Sequence, residues 1–481
     1  MKRNTQLLAY LFIITINLSG QPHIKFSGQV CDGKQGISGV AVTDGYNVTY
    51  TDRKGMYTLI SDTIVEFVYM SLPSGYDIPL SEGIPCFYVP VTDKTSPKQT
   101  INFKLKKSDR DDTRHTMLVW ADTQIAFAEE LLFLAAATED AKILAESMGC
   151  PVYGVVCGDM VADKPVFYKD IKHMLGATDI PFFFLPGNHD ITFGVRSEEL
   201  AKADYKNTFG PNYYSFNRGK VHYIVLDNIF YSGNKSVILT YLHERQLRWL
   251  ERDLASVAPG SLVIVMLHVP TSYNEDLRQD GIRNVLQNRT HLHEILKPYN
   301  VHIFSGHTHY NENFVIRDNL YEHVHGAVCG LFWQTPYCSD GAPLGYGVYE
   351  VDSDYLTWYY KGVGLPKNFQ FRAYPAGFNP EKPTAVTVNV WNYDPEWKVQ
   401  WLENGIPKGN MAQYNGHDPE VVSYIIHNKD KMRNPLLGSM PTNHLFYAEP
   451  TSSDAEITIE VTDRFGNKYI QTVAKEEKKK E

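Results

Sequence analysis

Five short apolar runs in this chain each end in a group of side chains that can ligate a metal ion. Residues 116–121 lead into Asp122-Thr123-Gln124, and residues 152–157 into Gly158-Asp159. Residues 181–185 run into Pro186-Gly187-Asn188-His189-Asp190, residues 262–267 into His268, and residues 301–304 into Ser305-Gly306-His307-Thr308-His309. Carboxylates, imidazoles and amide oxygens make a mixed N/O donor set, which suits Mn, Fe, Zn or Mg and lacks the thiolates of a structural zinc site. The glycines ahead of Asp159, Asn188 and His307 let the backbone turn sharply and let ions approach closely. Two ions ~3.5–4 Å apart can clamp the attacking and leaving oxygens of an in-line phosphoryl displacement. Any one of these residues alone reads as structural, since a lone Gly-Asp is usually a turn. The joint pattern is what points to chemistry.

Elements must bring these groups together. Between residues 115 and 364, short apolar runs alternate with segments of helical period, the βαβ pattern of an α/β sheet. Helices are expected over 126–148, stopped by Gly149, and over 245–255, with Leu247, Leu250 and Leu254 on one stripe. In open α/β sheets ligands bind at the carboxyl ends of the strands, so the five groups should converge on one crevice. Residues 24–107 show strand alternation and Gly-Asx turns, which predicts a small β-sandwich. The charged stretch 106–114 then marks a domain boundary. Beyond Pro366 helical period disappears, and runs such as 385–391 and 455–461 alternate as half-buried strands do. The domains expected are therefore 24–107, 115–365 and 366–481.

The whole chain narrows the class further. At 481 residues it exceeds one hydrophobic core. A net charge of −9, with no basic run before the tail, disfavours a nucleic-acid partner. Lys2 and Arg3 precede an apolar stretch over 7–18 and the small residues Ser19 and Gly20. This reads as a signal peptide over 1–20 and predicts an exported, periplasmic or secreted protein. No later segment reaches ~18 consecutive apolar residues, so no transmembrane segment is expected after cleavage. Export permits disulfides. Cys150 and Cys157 flank one extended strand, roughly 20 Å apart, too far to bridge. Cys329 and Cys338 are the one pair to consider. His222, His302, His323 and His325 lie outside the motifs and read as structural. The aromatic loop 331–341 either walls a substrate pocket, through Trp333 and Tyr337, or packs against a neighbouring domain.

Asp122-x-Gln124, Gly158-Asp159, Gly187-Asn188-His189-Asp190, His268 and Gly306-His307-Thr308-His309 resemble, in order, the signature of the calcineurin-like metallophosphoesterases. The flanking β domains resemble those of exported bacterial members. The resemblance implies an α/β fold: a metallophosphoesterase β-sandwich flanked by helices, with a small all-β N-terminal domain and a mostly β C-terminal domain. It implies two divalent metal ions, Mn favoured over Fe, Zn or Mg. Asp159 would bridge them, Asp122 and His309 would hold the first, and Asn188, His268 and His307 the second. His189 would sit beside the scissile phosphate, and a metal-activated hydroxide would attack a small phosphate mono- or diester. Two departures stand out. The family usually has His at Gln124, a weaker ligand that favours harder cations than Zn. Many relatives place an acidic residue or Asn three positions after the bridging Asp, where this chain has Ala162. Asp163 or Asp190 would then orient His189, and a tyrosinate ligand of the purple acid phosphatase kind is excluded. The alternatives are a catalytically weak or inactive relative acting as a cell-surface binding module, and a nuclease of the same superfamily.

Overall fold

Residues 23–235, 237–278 and 281–473 are described in a computed structural model of the chain. The segment 1–20 read as a signal peptide and the charged tail 475–481 lie outside the described residues.

Eleven strands of the central region form its two large sheets. They are β1 (Arg114–Trp120), β2 (Val152–Cys157), β3 (Phe182–Leu185), β4 (Tyr214–Arg218), β5 (Val221–Val225) and β6 (Leu262–Met266). After them come β7 (Asn300–Ser305), β8 (Glu312–Arg317), β9 (Leu320–Val324), β10 (Gly345–Asp352) and β11 (Tyr355–Gly362). One sheet runs β3-β2-β1-β10-β11, with β1 to β3 parallel and β10 antiparallel to β1. The other runs β4-β5-β6-β7-β9-β8, with four parallel strands between antiparallel edges.

The five strands that carry the polar groups thus divide between two sheets, as the β-sandwich implied by the resemblance requires. Alternation along β1 shows why. Met117, Val119 and Ala121 join Phe183, Ile264, Met266 and Phe304 in a core between the sheets. Leu118 and Trp120 point the other way, toward Leu134 and Ala137 of helix α1 (Leu131–Ser147). On the second sheet, Val263 and Val265 pack with Trp249 and Leu250 of α2 (Glu244–Leu254). Strands apolar on both faces need cover on both. The helices supply one layer for each sheet, and each sheet covers the other. Helix α1 starts later than its periodicity suggests because a 3-10 turn, Ala128–Glu130, takes up its first residues.

The N-terminal domain is a sandwich of two four-stranded sheets. One holds His23–Cys31, Met56–Asp62, Lys98–Thr100 and Phe103–Lys104, and the other Ala41–Thr43, Val48–Tyr50, Phe67–Met70 and Tyr88–Pro90. The C-terminal domain has two four-stranded antiparallel sheets and one longer helix, α3 (Pro419–Asn428). Asp418 caps that helix by accepting from Glu420 and Val421 N–H, with Pro419 in its first turn.

The two outer domains dock differently. The N-terminal sandwich shares one continuous apolar core with the centre, where Leu72 and Phe87 join Phe183, Tyr214 and Phe216. The C-terminal domain has its own core around Val388, Trp397, Ile459 and Val461. It meets the centre through a small apolar cluster of Cys338, Tyr360 and Trp391, and through the buried polar residues Asp340, Asn389, Asp418 and His444.

The histidines outside the motifs have structural partners. His222 bonds Asp253 and Asn217, His302 bonds His323, and His325 lies between Ser305 O and Tyr349 Oη. All six cysteines are free, Cys329 and Cys338 included. Among the described residues no helix is long and apolar enough to cross a membrane.

Candidate metal centre

The loops that follow β1, β2, β3, β6 and β7 meet at one end of the two sheets. A chain of contacts joins all the motif residues. Gln124 Nε2 donates to Asp159 Oδ2 at 2.9 Å, and that same oxygen lies 3.4 Å from His268 Nε2. His268 Nε2 lies 3.1 Å from Asn188 Oδ1 and 3.2 Å from His307 Nδ1. The His307 N–H donates to Asp122 Oδ2 at 2.8 Å, and Asp122 Oδ1 is 3.6 Å from His309 Nε2. The His189 N–H donates to Asp159 Oδ1 at 2.8 Å.

The backbone is bent to achieve this. Asp122, Gln124, Asp159, His307 and His309 have φ of 53°, 38°, 53°, 72° and 58°, in the left-handed region that disfavours side chains. Each such residue stores on the order of 1–3 kcal/mol of strain, which the surrounding fold must offset. Strained positions of this kind cluster at functional sites.

Two glycines permit the close approach. A Cβ on Gly187 would lie 2.1 Å from Asp159 Oδ1, and one on Gly306 would lie 2.6 Å from Asp122 Oδ2. Gly187→Ala should therefore cost about 1–3 kcal/mol by overpacking and displace the Asp159 carboxylate. A fall in Tm accompanied by loss of metal affinity would show both effects. Unchanged metal affinity would disprove the second.

The donor pattern asks for cations. The His268 Nδ1–H donates to Cys157 O at 2.8 Å, which aims Nε2 at Asn188 Oδ1, His307 Nδ1 and Asp159 Oδ2. The His309 Nδ1–H likewise donates to Gly330 O at 2.7 Å, turning its Nε2 toward Asp122. Asp122 Oδ1 and Gln124 Oε1 are buried without a hydrogen-bond partner. Acceptors that face one another in a dry site repel unless a positive charge lies between them. One potential ligand atom from each of Asp159, His268 and His307 lie within 4.8 Å of one another. The residues present therefore fit divalent cations.

Taken by themselves, these side chains meet that need with a proton drawn onto His268. Burial and the neighbouring Asp159 charge push the Asp122 carboxyl up to about 8, against the pull of His268. Burial acts the same way on Asp159, but His268 and His189 overcome it and hold that carboxyl far below its usual range. Burial works against a charged His268, yet Asp159 raises it to about 9. Burial and the nearby His268 charge lower His307 to about 3. A group this strongly perturbed in a cleft marks a functional site.

Asp163 is the residue that orients His189. Its Oδ1 lies 2.7 Å from His189 Nδ1, on a left-handed turn with φ of 60°. Asp190 does another job: its carboxylate accepts the N–H groups of Met160, Val161 and Gly187 and so ties two site loops together. Lys235 bonds the second oxygen of Asp163 at 3.2 Å.

The aromatic loop divides between the metal centre and the neighbouring domain. Phe332, which the motifs did not single out, stacks on His309 with centroids 4.8 Å apart. The Trp333 Nε1–H donates to Thr123 O at 2.8 Å, beside Asp122 and Gln124, and its ring stacks on Phe133. Tyr337 faces the C-terminal domain instead. It donates to Glu420 at 2.8 Å, packs edge-on against Tyr424 and lies under Arg372.

Comparison with known proteins matches this arrangement to one family. Residues 124–311 match calcineurin-like phosphoesterase, residues 24–108 its N-terminal domain and residues 322–469 its C-terminal domain. A mouse (Mus musculus) protein named serine/threonine-protein phosphatase CPPED1 is 29% identical over 174 residues, covering 34% of this chain and 54% of its own. A 3',5'-cyclic-nucleotide phosphodiesterase from Nostoc sp. is 26% identical over 147 residues, covering 30% of this chain and 50% of its own. The chain thus spans about half the length of the curated relatives it matches. Among solved structures, a dimetal phosphatase from Danio rerio aligns with TM-score 0.38 and 14% identity over 52% of this chain and 96% of that one. Purple acid phosphatase from yellow lupin (Lupinus luteus) aligns with TM-score 0.40 and 13% identity over 68% and 67%. With the three matches in chain order, and the motifs of the central one gathered at one end of its two sheets, the chain belongs to the calcineurin-like phosphoesterases and carries the family's N- and C-terminal domains.

Proposed function

We propose that the protein hydrolyses small phosphate mono- or diesters with two divalent cations. The observation that carries this reading is the position of His268 Nε2, aimed by the Nδ1 bond to Cys157 into the space shared with Asn188, His307 and Asp159. Asn188, His268 and His307 would hold one cation, Asp122, Gln124 and His309 the other, with Asp159 common to both. Divalent cations there would supply positive charge to offset the negative charge of the phosphoryl oxygens and make water nucleophilic near neutral pH. Gln124 gives the second set an amide oxygen in place of an imidazole, which favours Mn, Mg or Fe(II) over Zn.

His189 is the proton donor in this reading. Asp163 holds its Nδ1, which leaves Nε2 as the ring atom available to a leaving oxygen. Phe332 covers His309 from one side and limits access of bulk water to that set.

The test is hydrolysis of p-nitrophenyl phosphate and bis-p-nitrophenyl phosphate by metal-stripped protein, with and without added Mn. Turnover that requires Mn and falls at least ~100-fold in Asn188→Ala is expected, since even groups that only support a ligand typically account for 10–100-fold. The ratio of the two rates assigns the ester class. No turnover with Mn, Fe, Zn or Mg in folded, metal-loaded protein would refute the proposal.

A further inference from the structure

The C-terminal domain reaches into the segment that carries His309 by two adjacent routes. The first runs through Ser339. The main-chain carbonyl of His309 accepts from the Ser339 N–H at 3.1 Å and from the Ser339 hydroxyl at 2.9 Å. The Ser339 carbonyl in turn accepts from the Met440 N–H at 2.8 Å and the Ser439 hydroxyl at 3.2 Å. Two hydrogen-bonded steps therefore connect a motif histidine to a loop 130 positions later in the chain.

The second route runs through Asp340, which is fully buried. Its Oδ2 accepts from the Asn311 N–H at 2.8 Å, two residues beyond His309, and lies 3.2 Å from His444 Nε2. Its main-chain carbonyl accepts from Asn389 Nδ2 at 2.7 Å. Asn389 gives its other amide hydrogen to Asp418 at 2.7 Å, so its Oδ1 faces His444 Nδ1 at 2.6 Å. Asp418 also accepts from Tyr374 at 2.6 Å and caps α3. Asp340, His444, Asn389, Asp418 and Tyr374 form one buried network whose members satisfy one another. Such a network is stiff because every alternative arrangement strands a polar group away from water.

The N-terminal domain docks on a shared apolar core with polar links such as Ser215 to Ser71 and Arg218 to Tyr76, and among the described residues none of these links falls on a motif residue. The C-terminal dock ends on the main chain of His309 and Asn311. Resting on the metal reading above, we infer that the C-terminal domain is part of the metal centre: His444, through Asp340, and the 439–440 segment, through Ser339, are positioning residues for His309. They act on the cation set of Asp122, Gln124 and His309. The set of Asn188, His268 and His307 is held from β3, β6 and β7 and bonds neither route directly, its link to the first set being the His307 N–H on Asp122.

The experiment is a titration of the metal-stripped full chain with cobalt(II), followed by visible absorption, whose bands report the ligand geometry. The unmodified protein should bind two equivalents. In His444→Ala, and more mildly in Ser339→Ala, one equivalent should weaken about 10–100-fold, the range seen when residues that orient metal ligands are removed. The other equivalent should keep its affinity, and the spectrum of the weakened one should change. His444→Gln retains an amide that can donate to Asp340 and should recover part of the loss. Ser339→Ala removes one hydroxyl and keeps the answer available if His444→Ala does not fold. Two equivalents bound with unaltered affinity and spectrum in the folded variants would overturn the inference. Absence of cobalt binding by the unmodified protein would instead overturn the metal reading on which it rests.

Discussion

Asp159→Asn is expected to reduce metal affinity by more than ~100-fold, beyond the range for residues that merely orient ligands, and to bring phosphoesterase turnover to background. Asp159 stands between the two sets of acceptors. Its Oδ2 faces His268 at 3.4 Å and accepts from Gln124, while Oδ1 accepts from the His189 N–H. Asparagine has the same shape and can keep one of those acceptor roles. The formal charge is lost, and an amide N–H must then meet either the His189 N–H or the Gln124 donor beside the space where a cation is called for. A metal titration and p-nitrophenyl phosphate kinetics on the same preparation check both parts. Affinity within a few-fold of the unmodified protein would show that Asp159 is not a shared ligand.

His189→Ala should separate two roles that geometry allows for that ring. If His189 gives a proton to the leaving oxygen, its loss should lower turnover of an alkyl phosphate ester by ~10²–10⁴-fold, the usual contribution of a positioned acid. The loss on p-nitrophenyl phosphate should be far smaller, because nitrophenolate departs without a proton. Asp163, 2.7 Å from Nδ1, fixes the ring for either role, and Lys235 fixes Asp163. Equal losses on both esters would mean that the imidazole stabilises phosphoryl charge and does not protonate the leaving group.

The motif residues were legible in the sequence because each sits within a few positions of a strand end, so local spacing carried the information. Asp122, Gln124, Asp159, Asn188, His189, His268, His307 and His309 are joined by the contacts described above. What local spacing does not carry is the partner across the fold. Asp163 rather than Asp190 orients His189 because Asp163 occupies a left-handed turn while Asp190 is consumed by three backbone donors. Neither fact has a sequence signature. That helices cover one face of β1 and a second sheet the other came from the resemblance, because a continuous apolar run does not distinguish the two kinds of cover. In the aromatic loop, Phe332 and Trp333 turn toward the metal centre and Tyr337 away from it. That split is decided by backbone φ of 55° and 60° at Phe332 and Trp333 and by Glu420, Tyr424 and Arg372 far along the chain. The coupling of His444 to Asp340 spans 104 positions and was invisible for the same reason.

The unequal docking of the outer domains has a consequence for how the molecule loses its structure. Phe183 stacks on Phe216 with centroids 3.8 Å apart, and Phe87 reaches the same cluster from the N-terminal sandwich, with its ring centroid 4.6 Å from that of Tyr214. Apolar side chains shared in this way are exposed together or not at all, so the N-terminal sandwich and the centre form one cooperative unit. The C-terminal domain, with a core of its own and a hydrogen-bonded seam, is the section that can part first. The border of cooperative melting and the border of the working site therefore fall on opposite sides of the central sheets.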